Sequence, residues 1–338
     1  MKFKKLAAIA MSSLLTLTLV TGCSTDKKAE SDKPTVAIVL GEGSINDQSF
    51  NQSTWEGLKK AKEDFGVNIK YLESQQDSDY VSNVESFVDQ EADLIVGVGF
   101  QLKDTIEEMA KNYPDQQFAI LDETYDKVPS NVTTVTFKEQ EGAYLAGYLA
   151  GQVSETKNVG FIGGIEASPA IQKYHYGFKA GAESVDGVKV NSQYANTFSD
   201  AAKGKAIANQ MISSGSDVVF AAAGATGVGS IEACKENNKK AIGVDIDQSY
   251  IAPETVISSA IKKMNVASYD LAKMLVEGKL TGGQSLVYGI KENGIGLSEN
   301  TSKNVSKEIM DEINIISDKI VNGEIKVPAT EKEYESMK

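Results

Sequence analysis

Short apolar runs and helix-like segments alternate along almost the whole chain. The runs at 35–40, 68–72, 93–97, 117–121, 158–162, 188–194, 217–221 and 240–244 are continuously apolar enough to predict buried strands. Between them, apolar residues recur at helical spacing, as in Trp55, Leu58, Ala61 and Phe65, or Val81, Val84, Phe87 and Val88. Strands separated by helices of this length predict an α/β fold with parallel sheets covered on both faces. One β/α series ends at "NVTTVTF", residues 131–137, and the long helix "KEQEGAYLAGYLAGQVS" opens a second. The segment 254–278 then supplies one more strand and helix, so the chain returns after the second series is complete. This predicts two similar doubly wound lobes joined by several crossovers. Lobe 1 is expected to take 35–137 and about 250–285, and lobe 2 is expected to take 138–249 and about 286–325.

The ends and the charge narrow the setting. Met1 to Lys5 carries three lysines, 6–20 is apolar apart from hydroxyls, and "VTGC" follows. A basic start, a short apolar run and small residues read as a secretory signal over 1–22, too short for a membrane span. Residues 23–34, ending in "STDKKAESDKP", have the composition of a flexible tether. The formal charge of the whole chain is −13, and loss of the leader lysines makes it more negative still. An acidic surface without a basic cluster argues against nucleic acid as a partner. Cys23 and Cys234 are the two cysteines. Cys234, in a helical pattern, is expected to be a small buried hydrophobe, so the lobes must hold together through their cores.

In open parallel sheets, ligands sit at the carboxyl ends of the strands, where helix N-termini also point. After the first strand come Asp47, Phe50 and Asn51, with the helix expected to be under way by Trp55. After the third come Gly99, Phe100 and Gln101, and Asp122 follows the fourth. In the second series the same edge collects Phe198, Gly224, Asp245 and Asp247. One aromatic per lobe and several carboxylates on one edge predict a cleft with Phe50 on one wall and Phe198 on the other. Each residue also has a plainer reading. Asp47, Ser49, Ser199 and Asp200 can be helix caps, "STWE" fits a capping box, Phe50 can staple its own helix, and Phe100 can simply pack.

Catalytic arrangements are poorly supported. The one histidine, His175, lies among aromatics on an expected helix, where a structural role is the ordinary one. Without His or Cys partners there is no metal spacing, and no G-x-S-x-G elbow occurs. "GEGSIN" and "GATGVG" lack the Rossmann and P-loop spacings and read as tight turns. Asp122, Asp245 and Asp247 can be written as acid–base carboxylates acting on a sugar, but no fixed spacing supports it. No enzyme activity, metal or cofactor is expected.

The motifs carry a resemblance in addition. "VTGC", "GSINDQSFNQSTWEGL", "ILDE", "EGAYLAGYLAG", "GFIGG", "YGFKAG", "GVDIDQ" and "SSAIKKMNVA", in this order, resemble the basic membrane protein family. That family comprises lipid-anchored substrate-binding proteins of ABC transporters and includes purine-nucleoside receptors of the PnrA type. The likeness runs from about residue 34 to about 325. It implies a type I periplasmic-binding-protein fold with three crossovers, a lipid on Cys23, and anchoring on the extracytoplasmic face of the cell membrane. It also implies a permease and an ATPase as partners. Phe50 and Phe198 would sandwich a purine, and Asp47 and Asn51 would meet its polar edge. Asp122, Asp245 and Lys262 would reach the ribose, and Gly224 would give a backbone contact. Lys263 neighbours Lys262, and a shift by one stays open. A sugar or sugar-like signalling ligand in the same fold, or a sensor that does not transport, are the alternatives.

Overall fold

A computed structural model describes residues 33–338; the expected leader, Cys23 and most of the tether lie outside the described residues. In chain order the first elements are β1 (Thr35–Leu40), α1 (Phe50–Phe65), β2 (Asn68–Glu73), α2 (Asp79–Asp89), β3 (Leu94–Val98), α3 (Lys103–Asn112), β4 (Gln117–Leu121) and β5 (Val132–Phe137). The second series is α4 (Glu139–Val153), β6 (Asn158–Gly163), α5 (Pro169–Glu183), β7 (Lys189–Tyr194), α6 (Ala201–Ser213), β8 (Val218–Ala222), α7 (Gly224–Glu236), β9 (Lys240–Asp245) and β10 (Val256–Lys262). The remainder is α8 (Met264–Val276), β11 (Gln284–Tyr288), β12 (Ile295–Leu297), α9 (Thr301–Asn304), α10 (Lys307–Val321) and α11 (Glu331–Glu335).

The strands form two six-stranded sheets, ordered β11-β5-β4-β3-β1-β2 and β12-β10-β9-β8-β6-β7. All neighbours are parallel except the short β12, which runs antiparallel to β10. Setting aside β11 and β12, the two orders are the same, so the lobes are built alike. The most apolar runs, such as β3 and β8, lie inside the sheets and are buried along their length, whereas β2 and β7 lie at edges and are part polar. That distribution follows from helices covering both faces of every inner strand.

The lobe boundaries differ from the expectation for 254–278. The strand of that segment, β10, belongs to the second sheet, pairing with β9 through Ala260 and Val244. Only its helix, α8, returns to pack on α1 of the first lobe, and β11 then completes the first sheet. A strand and the helix after it look like one unit in sequence, but ladder pairing with distant strands decides which sheet the strand joins. The chain therefore crosses between lobes three times: at Lys138, at Lys263, and between β11 and β12.

The glycines of "EGAYLAGYLAG" and "YGFKAG" have a packing explanation. A Cβ on Gly147 would fall 2.1 Å from the Phe178 carbonyl oxygen, and one on Gly181 would fall 2.0 Å from that of Tyr144. Helices α4 and α5 approach so closely that only hydrogen fits between their backbones.

Candidate functional site

One cavity lies between the lobes at the carboxyl ends of the strands, enclosing about 610 Å³ of empty space with its open mouth included. All eight residues expected at the ligand site line it: Asp47, Phe50 and Asn51 from the end of β1 onward, Asp122 after β4, Phe198 after β7, Gly224 after β8, Asp245 at the end of β9, and Lys262 at the end of β10. Gly99, Phe100 and Gln101 line it as well. Asp247 does not; it accepts from the Ser249 amide at 3.0 Å and from Asn300, capping the turn after β9.

The entry to α1 fits a helix under way by Trp55 and puts Phe50 inside it. The helix starts at Phe50, a turn before Trp55. Asp47 accounts for this: its Oδ1 accepts from the amides of Ser49 (2.9 Å) and Gln52 (3.1 Å), and its Oδ2 from that of Asn51 (2.9 Å). These N–H groups have no partner inside the helix, so one carboxylate satisfies the exposed donors of the first turn. "STWE" is not a capping box, because Ser53 lies inside the helix and its hydroxyl accepts from the Asn265 amide. Nor is Phe50 a staple outside the helix; it is the first helical residue and packs in part on the first-lobe core. Burial raises the Asp47 pKa against the amides that lower it.

Phe198 rests on glycine. A Cβ on Gly164 would lie 2.1 Å from its ring, and one on Gly224 would lie 3.1 Å from its carbonyl oxygen. Gly224, with φ 55°, also starts α7, whose Thr226 amide donates to that same oxygen at 3.1 Å. Asp200 caps α6 by accepting from the Lys203 amide, so the cap expected at Ser199 or Asp200 falls on Asp200.

Asp122 and Asp245 occupy equivalent places at the carboxyl end of the fourth strand of each lobe, and both are left-handed, with φ 68° and 64°. Non-glycine residues in that region carry strain, which is common at binding sites, and aspartate tolerates it better than most. The Asp122 carboxylate pairs with Lys262, whose Nζ also lies 2.9 Å from Glu139 Oε1; Glu139 Oε2 in turn lies 3.0 Å from Lys173. Lys262 is 1% exposed, whereas Lys263 donates to Asn293 on the surface, so Lys262 is the lysine that faces the cavity. Its ammonium sits 5.0 Å from the ring centroids of both Phe50 and Phe137. Asp245 accepts from Ser49 of the other lobe and from the Tyr174 hydroxyl at 3.3 Å.

Burial sets the charges here. It pushes the Asp122 pKa up to about 6, against the opposing pull of Lys262, and raises Asp245 to about 6 as well. Burial also works to raise Glu139, but Lys262 and Lys173 outweigh it and hold this carboxyl below its usual range. For Lys262, burial favours the neutral amine, but Asp122, Glu139 and Asp245 prevail and keep it charged. Asp122 Oδ1 is buried and has no hydrogen-bond partner within the protein.

Glu42 and Tyr174 line the cavity and Glu139 pairs with Lys262, and the sequence reading missed all three. Glu42 follows β1 on the edge already singled out, so the same logic reaches it. Glu139 and Tyr174 lie within helices and carry no local signal. His175 is packed and neutral: it stacks on Phe161, contacts Tyr194 and Ser192, and burial lowers its pKa to about 4. Cys234 is buried in the second-lobe core. Among the described residues there is no cluster of His, Cys, Asp or Glu that could hold a metal, and no helix is long and apolar enough to cross a membrane.

Two α/β lobes of matching strand order meet at a cleft on their carboxyl edges, lined by aromatic rings, carboxylates and one lysine. Residues 34–331 match the family described as ABC transporter substrate-binding protein, PnrA-like. The chain belongs to that family. Among PnrA-like relatives, basic membrane protein D of Borreliella burgdorferi is 38% identical over 94% of each chain. The ABC transporter nucleoside-binding protein BmpA of Lactococcus lactis is 37% identical, over 96% of this chain and 99% of that one. In three dimensions, a solute-binding protein of an ABC transporter system from Aeropyrum pernix superposes with a TM-score of 0.83 at 28% identity, over 90% of this chain and 96% of that one. The protein is therefore an ABC transporter substrate-binding protein of type I periplasmic-binding-protein fold. It has a ligand to capture and a permease with its ATPase to serve, and its family is not a class of enzymes.

Proposed function

We propose that the cleft captures a purine nucleoside, and that the protein does so on the extracytoplasmic face of the cell membrane, held by a lipid on Cys23. The observation that carries the ligand class is the buried Asp122 Oδ1, which has no partner in the protein and lines a cavity walled by Phe50 and Phe198. A buried carboxylate oxygen demands a donor, and sugar hydroxyls supply one. Asp122 and Asp245 accept from the ribose hydroxyls, and Lys262 donates to their oxygens. The two rings, one from each lobe, take the faces of the base. A phosphate fits badly, because Glu42, Asp47, Asp122 and Asp245 also line the cavity and Lys262 already pairs with Asp122 and Glu139. The nucleoside-binding name of the lactococcal relative agrees with this reading.

The polar edge beside Phe50 also ranks the bases. Asn51 spends its amide nitrogen on the Glu42 and Ser44 carbonyls, each at 3.3 Å, which leaves its carbonyl oxygen for a ligand. Asp47 Oδ2 accepts from one amide and has a lone pair to spare. Both groups are acceptors, so they favour a base edge that presents donors. Guanine offers N1–H and its amine and hypoxanthine offers N1–H, whereas adenine places an acceptor at N1.

Calorimetric titration with guanosine, inosine, adenosine, guanosine monophosphate and ribose tests the proposal. Nucleosides should bind, guanosine about tenfold or more ahead of adenosine, since an unmatched buried acceptor costs about 1–3 kcal/mol. Ribose and the monophosphate should bind weakly or not at all. Phe50→Ala and Phe198→Ala should each lower affinity by roughly tenfold to a hundredfold, the worth of one stacked base. Tight binding of a free sugar, with none of the nucleosides, would sink the reading.

A further inference from the structure

One rim of the cavity is held shut by a single carboxylate. Glu42, in the turn after β1, extends from the first lobe to the loop between β7 and α6 of the second. Its Oε1 accepts from the Thr197 hydroxyl (2.6 Å), the Phe198 amide (3.0 Å) and the Ser199 hydroxyl (2.9 Å). Both partners are braced on their own sides. The Glu42 carbonyl is gripped by Asn51, and the Gly41 amide before it donates to Val98 at 3.1 Å. Across the rim, the Asp200 amide donates to the Thr226 hydroxyl at 2.9 Å, and that hydroxyl donates to the Thr197 carbonyl at 3.3 Å. The Ser199 amide donates to the Thr197 hydroxyl at 3.2 Å, so the donors are arranged before Glu42 meets them.

We propose that Glu42 is a positioning residue, a clasp that fastens the Phe198 loop to the first lobe and sets how long a ligand stays in the cleft. The proposal rests on the cleft being the ligand site with Phe198 as one wall. Because the Phe198 amide is itself a donor to Glu42, the ring cannot swing away with its lobe until the clasp breaks. Charge-assisted hydrogen bonds are about twice as strong as neutral ones, and this carboxylate is where they converge. The clasp stabilises the closed form, and losses of contacts of this kind appear mostly in dissociation rather than in association. Asn51 thereby acquires a second task, since its grip on the Glu42 carbonyl holds the clasp in register.

Stopped-flow binding of guanosine to the wild type, Glu42→Ala, Glu42→Gln and Ser199→Ala, with small-angle scattering of each, tests the clasp. Glu42→Ala should release guanosine about tenfold or more faster at a nearly unchanged association rate, and its scattering should shift toward a more open particle. Glu42→Gln keeps an acceptor oxygen and should fall between. Ser199→Ala should have a smaller effect that disappears when Glu42 is already alanine, because both changes break one contact. A Glu42→Ala variant that matches the wild type in both dissociation rate and scattering overturns the clasp. So does one whose only change is a lower unfolding temperature. If the wild type binds no nucleoside, the ligand class falls, and scattering alone decides the clasp.

Discussion

Asp122 and Asp245 set how the cleft should respond to pH. Burial lifts both carboxyls to about 6, well above the 3.8 of an exposed aspartate. Between those limits the folded protein binds protons that the unfolded chain has released. The contribution of these groups to stability is therefore complete below the unfolded pKa and is lost as pH rises through about 6. Ligand binding has the opposite sign, because hydroxyl donors need the ionised carboxylates. Nucleoside affinity should fall by about tenfold for each aspartate that must be ionised, between about pH 7.5 and about pH 5, since a group titrating near 6 is about nine-tenths protonated at the lower value. The unfolding temperature of the free protein should not fall in step. Calorimetry at the two pH values checks this, and an affinity that stays flat would refute the roles given to both aspartates. The sequence placed these aspartates on the right edge, but their pKa values depend on burial and on Lys262, which comes from a different strand.

Among the elements, α1 is the one where a binding residue and a structural residue coincide. Asp47 lines the cavity and also caps the helix that carries Phe50, so one residue faces the cleft and holds the first turn. Asp47→Ala should cost about 1–2 kcal/mol of stability, as loss of an N-terminal cap does, while Asp47→Asn should cost much less because asparagine caps as well. Urea unfolding midpoints separate the two; an alanine variant as stable as the wild type would show that the three amide contacts contribute nothing. The eight strands expected from apolar runs agree within a residue at each end, whereas β11 and β12, at the outer edges of the two sheets, had no such signal. The start of α1 was not legible. A cap five residues upstream of Gln52 leaves no trace in apolar periodicity.

At the scale of the whole molecule, the two lobes are tied by three crossovers, and the Lys262 network sits against two of them. Lys262 ends β10 immediately before the Lys263 crossover, Glu139 opens α4 immediately after the Lys138 crossover, and Lys173 donates to the Phe137 carbonyl at 2.7 Å. A ligand that engages Asp122 and Lys262 therefore touches the groups nearest the hinges, where small backbone rotations move whole lobes. The proposed lipid on Cys23 would tether this body to the membrane, so Cys23→Ala should release the protein into the soluble fraction. A variant that still pellets with membranes in carbonate extraction would argue against the anchor.

The sequence by itself determined the α/β class, the pairing of two alike lobes, and the edge at which Asp47, Phe50, Asn51, Asp122, Phe198, Gly224 and Asp245 line the cavity. Those properties follow from local spacing: apolar runs make strands, helical spacing makes covering helices, and the residue after a strand lies at a carboxyl edge. Tertiary structure alone decided which sheet takes β10, which of two adjacent lysines faces the cleft, and that Glu139 holds Lys262 in place. It also joined Glu42 to Thr197 across 155 residues of chain. Each of these depends on ladder pairing or on contacts between lobes, and residues brought together that way share no periodicity along the chain.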